Sequence, residues 1–179
     1  KALENLDFPN RITVLKFIWG WLPVNVKVYL YDKSVPTKCA ACKTVTETQE
    51  HMVWCPHCQR VAIHEAFQKD LEEWLPKHTP EEMKTLLIRG LFEWAKPGAD
   101  FELPSNLSPT ARDTCLSQAQ LGWDQLWCGR MSTWWMSLQA EALEEPTNVS
   151  NYTCETFIQM FISRVFHTIV KLRQQRCDV

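Results

Sequence analysis

Apolar residues recur at helical spacing along most of the chain and predict an almost entirely α-helical protein. The clearest case is a last helix over about Thr153 to Arg176, where apolar positions repeat every three or four residues. Basic residues at its end suit the negative pole of a helix dipole. Further helices are predicted to begin at Asn10, Thr46 and Pro56, and to run from Thr79 to about Trp94, from Pro109 to about Leu126 with an interruption near Gly122, and from Ser132 to about Leu143. The helix that begins at Asn10 is expected to turn an apolar face inward, which includes Phe17, Trp19 and Leu22. Val24 to Tyr31 fits a short helix or a strand, and we favour the helix.

Breaker residues separate these helices into two groups. Pro97, Gly98 and Pro104 fall within one short stretch, which is the part of the chain least suited to regular structure. We therefore predict a helical region over 1–95, a linker over 96–108 and a tryptophan-rich helical region over 109–179. The expected fold class is all-α, a helical bundle that can form two lobes.

Composition places the chain among ordinary globular proteins. It has 179 residues, 45% of them hydrophobic, and a formal net charge of −2. These values exclude a disordered or membrane-spanning chain. Binding to nucleic acid draws mainly on positive charge, so a near-neutral chain needs a local basic patch for it. Nine tryptophans predict either a large aromatic core or a surface for a partner.

Five potential metal ligands lie within twenty residues. Cys39-Ala-Ala-Cys42 has the spacing of a zinc knuckle, and His51 and Cys55 stand four residues apart, on one face of a helix. Cys55-Pro-His-Cys58 forms a second Cys-x-x-Cys pair. The spacing fits either three thiolates with His51 or four thiolates including Cys58, and unligated thiols or a disulfide are the structural alternative. With zinc bound, the cluster would staple a turn of the helical bundle.

The remaining cysteines indicate a compartment. Cys115, Cys128, Cys154 and Cys177 are scattered, as expected for small buried side chains in a reducing environment. No signal-peptide or transmembrane pattern is visible, so we expect an intracellular location. Glycosylation sequons at Asn106, Asn148 and Asn151 would fit the secreted alternative.

Signals of catalysis are missing from the sequence. Ser132, Ser137 and His167 lack a Gly-x-Ser-x-Gly elbow, and His64 with Glu65 lacks the second His of a catalytic zinc site. No glycine-rich phosphate loop and no small-molecule site are recognisable. We therefore expect a protein that is not an enzyme.

A binding surface is the remaining candidate function of the polar and aromatic residues. Tryptophans can stack on bases while basic side chains contact phosphates, although a tryptophan-packed core is the commoner use of such residues. Lysines flank the knuckle and make the first sixty residues the more basic part of the chain. The candidate binding residues are Lys38, Lys43, Arg60, Trp123, Trp127 and Arg130.

The region Arg11 to Arg60 resembles a known family. It contains Phe17-Ile-Trp-Gly-Trp-Leu-Pro23, then Cys39-x-x-Cys42, Glu47-Thr48 and His51-Met-Val-Trp-Cys-Pro56. This order resembles the zinc-binding region after the polymerase of non-long-terminal-repeat retroelement reverse transcriptases and related open reading frames. Gln120 to Ser132 is similar to the tail of such frames. The resemblance implies that Cys39, Cys42, His51 and Cys55 bind Zn²⁺.

Two functions follow as expectations. The first is a retroelement-derived accessory module that binds nucleic acid, template RNA or target DNA, and acts in the nucleus. The second is a structural or scaffold subunit that makes protein–protein contacts in a larger assembly. No Tyr-x-Asp-Asp polymerase motif is present, so the chain cannot by itself perform the phosphoryl transfer of the parent element.

Overall fold

A computed structural model describes residues 1–144 and 153–177 and confirms the all-α fold. These residues form eight α-helices and no β-strand. Short turns of other helical types occur at Leu75–Lys77, Gly90–Trp94 and Trp123–Leu126. The sequons at Asn148 and Asn151 lie outside the described residues. The helices are α1 (Phe8–Ile18), α2 (Asn25–Tyr31), α3 (Gln49–Trp54), α4 (Cys58–Trp74), α5 (Glu81–Arg89), α6 (Pro109–Leu121), α7 (Trp134–Glu144) and α8 (Cys154–Cys177).

The chain forms two compact units. Unit 1 comprises Lys1–Phe67 and Ser163–Val179, and unit 2 comprises Gln68–Ile162. The segment 96–108, predicted as a linker, lies within the bounds of unit 2. A compact unit is not in itself a separately folding domain, so the predicted domain boundaries stay a prediction.

Three helices begin at other residues than the sequence pattern predicts. Asp7 caps α1 in place of Asn10, because its carboxylate accepts the Asn10 N–H at 2.9 Å. Thr48, and not Thr46, caps α3. Pro80 precedes α5, whereas Thr79 is buried and donates its hydroxyl to Gln139 at 2.7 Å. In each case several oxygens can satisfy free N–H groups, and tertiary contacts decide which one does.

The core of unit 1 takes only part of the apolar face predicted for the first helix. Val14 and Phe17 of α1 are buried, together with Leu22 in the turn that follows. Trp19 was predicted to point inward, but 63% of it is exposed. The prediction for Trp19 is wrong because α1 ends at Ile18, and a residue beyond the helix end no longer follows its periodicity.

Tryptophans build the core of unit 2. Trp127 and Trp135 are almost fully buried, and their indole N–H groups donate to the Leu91 carbonyl at 3.2 Å and to the Gln118 amide oxygen at 3.0 Å. Trp123 packs 4.6 Å from Trp94, measured between ring centroids. A buried indole N–H usually finds an acceptor, which explains these two pairings. The Trp123 Nε1 is also buried, but it has no hydrogen-bond partner among the described residues.

No helix within residues 1–144 and 153–177 is long and apolar enough to cross a membrane.

Candidate metal centre

A tight turn presents the first two cysteines. The Lys43 N–H donates to the Cys39 carbonyl at 2.8 Å, and the Cys39 N–H donates to the Val45 carbonyl at 2.8 Å. Lys43 has a φ of 58°, in the left-handed region that a non-glycine residue occupies at a cost of about 1–2 kcal/mol. A single bridge between Lys38 and Thr46 closes the base of the turn. The strained turn brings the Cys39 and Cys42 side chains to one side of the backbone.

Helix α3 and the residue after it present the other two ligands. The Thr48 hydroxyl accepts the His51 N–H at 3.0 Å and so fixes the first turn of α3. Met52 and Val53 are buried and anchor the helix to the core of unit 1. Cys55 follows the helix end in an extended conformation, with φ −65° and ψ 130°. The predicted shared helix face is therefore wrong, although His51 and Cys55 still converge.

The four ligand atoms have the spacing of a tetrahedral metal site. The Cys39 and Cys55 sulfurs lie 3.8 Å apart, and the Cys42 sulfur lies 3.3 Å from His51 Nε2. All four atoms lie within 4.8 Å of one another. Bond lengths of about 2.3 Å for Zn–S and about 2.0 Å for Zn–N place sulfurs about 3.8 Å apart, and sulfur and nitrogen about 3.5 Å apart, in a tetrahedron. The cluster fits a metal ion of this size.

Two cysteines of the cluster, Cys42 and Cys55, differ in the acidity of their thiols. Burial opposes ionisation of Cys42, but hydrogen bonds from the Thr44 hydroxyl, from the Val45 and Thr44 N–H groups and from His51 outweigh it, and the pKa of Cys42 falls to about 5. Burial raises the pKa of Cys55 to about 11, although the His57 N–H and the Arg60 charge act in the opposite direction. A metal must therefore displace a proton from Cys55 at neutral pH, whereas Cys42 is already a thiolate.

Cys58 lies outside the cluster. It is exposed at the first residue of α4, and the group that can hold a metal contains His51 in its place. Cys39, Cys42 and Cys55 are free thiols, so the disulfide alternative does not apply to them. The structure thus brings together the ligand set that the family resemblance implies.

Arg60 is the first of the candidate binding residues that the structure places in the interior. Its side chain is 0% exposed, and its Nη2 lies 3.6 Å from Oε1 of Glu47, which is equally buried. Arg60 also donates to the Gln175 side chain at 2.8 Å and to the Met52 carbonyl at 3.3 Å. The assignment of Arg60 to a binding surface is wrong, because a buried arginine with these partners cannot reach a ligand outside.

Glu47 supports the metal-binding segment, a role that the spacing of the ligands did not reveal. One of its oxygens accepts hydrogen bonds from Arg176 Nε at 2.8 Å and from the Asn25 N–H at 2.9 Å. The Glu47 N–H donates to the Thr37 carbonyl at 2.9 Å, in the segment leading to Cys39. Glu47 therefore ties the metal-binding segment to α2, α4 and α8. The position of Glu47 between the ligands Cys42 and His51 was the one sequence feature that could have indicated this role.

The predicted tryptophan surface is also buried. Trp123 and Trp127 are 5% and 2% exposed, so neither can offer a face to a base. Burial of large apolar side chains in a core removes their surface from water and stabilises the fold. Arg130 is exposed and donates to the Gln125 side chain at 3.0 Å. Lys38 and Lys43 are exposed and adjoin the ligands Cys39 and Cys42 in the sequence, and their role in binding stays a prediction.

Comparison of the chain with protein-family models, with curated proteins and with solved structures gave no significant match.

Proposed function

We propose that the chain is a non-catalytic zinc-binding helical module that binds RNA or DNA as an accessory domain. The order of residues around the cluster supports an origin next to a retroelement reverse transcriptase. Zinc is the proposed ion because three thiolates and one imidazole at this spacing match its preferred ligands. Four protein ligands leave no open position for water, so the ion would stabilise the fold and supply no catalytic step.

The charge of unit 1 is the observation that carries the nucleic-acid proposal. Unit 1 contains 12 Lys and Arg against 7 Asp and Glu, a formal net charge of +5. Unit 2 contains 7 Lys and Arg against 14 Asp and Glu, a net charge of −7. The near-neutral total therefore conceals a basic unit that also holds the metal cluster. Polyanions bind through such local positive charge.

Several of these cations are available to a ligand. Lys16, Lys38 and Lys43 are exposed and form no salt bridge with any residue in the described part of the chain. Arg60 and Arg176, in contrast, are engaged by Glu47 and contribute to folding. Lys38 and Lys43 adjoin the ligands Cys39 and Cys42 in the sequence, so their charges flank the metal-binding turn, which suits phosphate contacts.

A salt titration tests this proposal. The zinc-loaded chain is expected to bind an RNA or DNA oligonucleotide, with an affinity that falls linearly with ionic strength on logarithmic axes. The double variant Lys38→Gln/Lys43→Asn removes two charges, and the asparagine suits the left-handed backbone. Its salt slope should be shallower by about 1–2. The matched variant Lys77→Gln/Lys96→Gln removes two exposed charges from unit 2 and should keep the wild-type slope. An unchanged slope in the first variant would contradict the role of these lysines.

Exposed apolar side chains favour the second candidate, a scaffold subunit in a protein assembly. Phe8, Leu30 and Tyr31 of unit 1 are 73%, 64% and 91% exposed. Exposed apolar side chains mark a protein interface where they form a contiguous patch, and these three are the candidates for such a patch. Absence of nucleic-acid binding at low salt, together with copurification in a stable complex, would replace the first proposal by this one.

A further inference from the structure

The end of α1 fixes two tryptophans at the surface of unit 1. Trp19 ends the helix, Gly20 takes a φ of 67°, and the Gly20 N–H donates to the Phe17 carbonyl at 2.9 Å. The Trp21 N–H then donates to the Lys16 carbonyl at 2.6 Å. This pair of bonds is the Schellman motif, which ends a helix with defined backbone geometry. The two residues, here called the indole pair, therefore stand on a rigid turn.

The indole pair is exposed where a Schellman motif usually buries an apolar side chain. The residue after the glycine normally packs against an apolar side chain in the last helical turn. Here the two helical positions that can provide this contact are Lys16 and Leu15; Leu15 is 38% exposed, and Trp21 is 71% exposed. Trp19 is 63% exposed, and the ring centroids of the pair lie 6.4 Å apart with an angle of 33° between planes. Two large aromatic faces are thus left side by side in solvent.

The metal-bearing segment holds the indole pair in place. Gln49 Nε2 donates to the Phe17 carbonyl at 2.8 Å, and Gln49 is the first residue of α3, the helix that carries His51. Phe17 and Leu22, on either side of the pair in sequence, are 3% and 1% exposed. The turn is anchored at both ends in the core of unit 1, so a ligand would meet a preorganised surface.

The formal charge of unit 1 and a neighbouring lysine select the class of ligand. Lys16 is exposed and its carbonyl is bonded to Trp21, and the unit as a whole carries a net charge of +5. A ligand that is flat, aromatic and anionic satisfies both features. Single-stranded RNA or DNA has this chemistry, because its bases are free to stack on side chains while its phosphates meet lysine. The bases of a duplex are already stacked on one another.

We propose that Trp19 and Trp21 stack with bases of a single-stranded nucleic acid and that Lys16 contacts its phosphates. This inference rests on the proposed nucleic-acid function and adds the strand type and the residues of the contact. A protein partner that covers the indoles is the competing occupant.

The experiment uses the zinc-loaded full chain and two labelled probes, a thymidine dodecamer and a mixed-sequence duplex of equal length. Anisotropy titrations are made with wild type, with Trp19→Ala/Trp21→Ala and with Trp19→Tyr/Trp21→Tyr. Trp134→Ala is the matched control, since Trp134 lies in unit 2 and is 42% exposed. Zinc content and far-ultraviolet circular dichroism check that each variant is folded.

We expect the double alanine variant to bind the single strand at least about tenfold more weakly, because each stacked indole contributes at this level. Its affinity for the duplex should stay within about twofold of wild type. The tyrosine variant should recover most of the single-strand affinity, since an aromatic face remains. Trp134→Ala should behave as wild type.

Three results would overturn the inference, each in a distinct way. Wild-type affinity of the double alanine variant for the single strand would remove the indole pair and leave the proposed function intact. An equal loss on single strand and duplex would remove the strand selectivity. No binding of either probe by the wild type, at low salt, would overturn the proposed function and this inference together, and would favour a protein on the indole pair.

Discussion

The carboxylate of Glu47 accepts a hydrogen bond from Arg176 Nε at 2.8 Å across 129 residues of chain. Glu47 lies between the second and third ligands of the metal cluster, and Arg176 lies in the last turn of α8. The same carboxylate faces Arg60, so one buried negative charge is shared by two arginines. The metal-binding segment and the end of α8 are therefore parts of one polar core.

Replacement Glu47→Gln should destabilise unit 1. Removal of one member of a buried ion pair leaves its partner charge uncompensated, and typically lowers the free energy of unfolding by about 3–5 kcal/mol. Denaturant unfolding of the zinc-loaded chain measures the loss. The control Glu50→Gln changes an exposed carboxylate in the next turn of chain and should shift the stability by less than about 0.5 kcal/mol. Equal stability of the two variants would show that Glu47 has no such role.

Metal content should distinguish the ligands. Cys39→Ser and His51→Ala each remove one of four converging atoms, and we expect them to lose bound zinc under dialysis against a weak chelator. Cys58→Ser removes an exposed thiol outside the cluster and should keep one zinc per chain, as measured by plasma mass spectrometry. Loss of zinc from Cys58→Ser with retention in His51→Ala would instead establish the four-thiolate set.

Zinc binding should release protons and weaken as the pH falls. In the metal-free cluster the pKa of Cys55 is raised to about 11 by burial, so its thiol is protonated at neutral pH and must lose that proton to bind zinc. Below about pH 5 Cys42 also takes up a proton, which adds to the competition with zinc. Calorimetric titrations in two buffers of different ionisation enthalpy should give different apparent heats. Identical heats would mean that no proton leaves the site.

Replacement Gly90→Ala should destabilise unit 2. A Cβ atom at this position would lie 2.7 Å from the Trp123 ring and 3.0 Å from the Leu126 side chain, both of which are buried. Overpacking of this kind costs about 1–3 kcal/mol. The control Thr85→Ala lies at an exposed position of α5 and should change stability by less than about 0.5 kcal/mol. Thermal unfolding followed by near-ultraviolet circular dichroism reports on the tryptophans concerned.

The sequence predicted the elements that depend on local pattern. The last helix, with apolar residues such as Phe161 and Val165 at helical spacing, is present over Cys154–Cys177. The ligands of the candidate site were recognisable because a metal needs a fixed kind and spacing of side chains. Both signals are contained in short stretches of chain.

The errors concern residues whose environment is set by distant partners. From its local sequence Arg60 is expected to be a surface cation. Its contacts with Glu47 and Gln175 form only in the folded chain, and no local pattern indicates them. Trp123 was expected at a binding surface and is buried, whereas Trp19 was expected in the core and is exposed. Hydrophobicity alone cannot tell which tryptophan finds a core, because burial depends on where a helix ends and on what packs against it.

The discontinuity of unit 1 has a consequence for the order in which the chain is synthesised. Lys1–Phe67 leaves the ribosome before Gln68–Ile162, and the segment from Ser163 follows it. At about 5–20 residues per second, Glu47 waits on the order of ten seconds for Arg176 to be translated. During that interval Arg60 is the only one of its two arginines already made. A nascent chain can therefore assemble the zinc ligands early, but it can complete the ion pairs of Glu47 only after unit 2 has been translated.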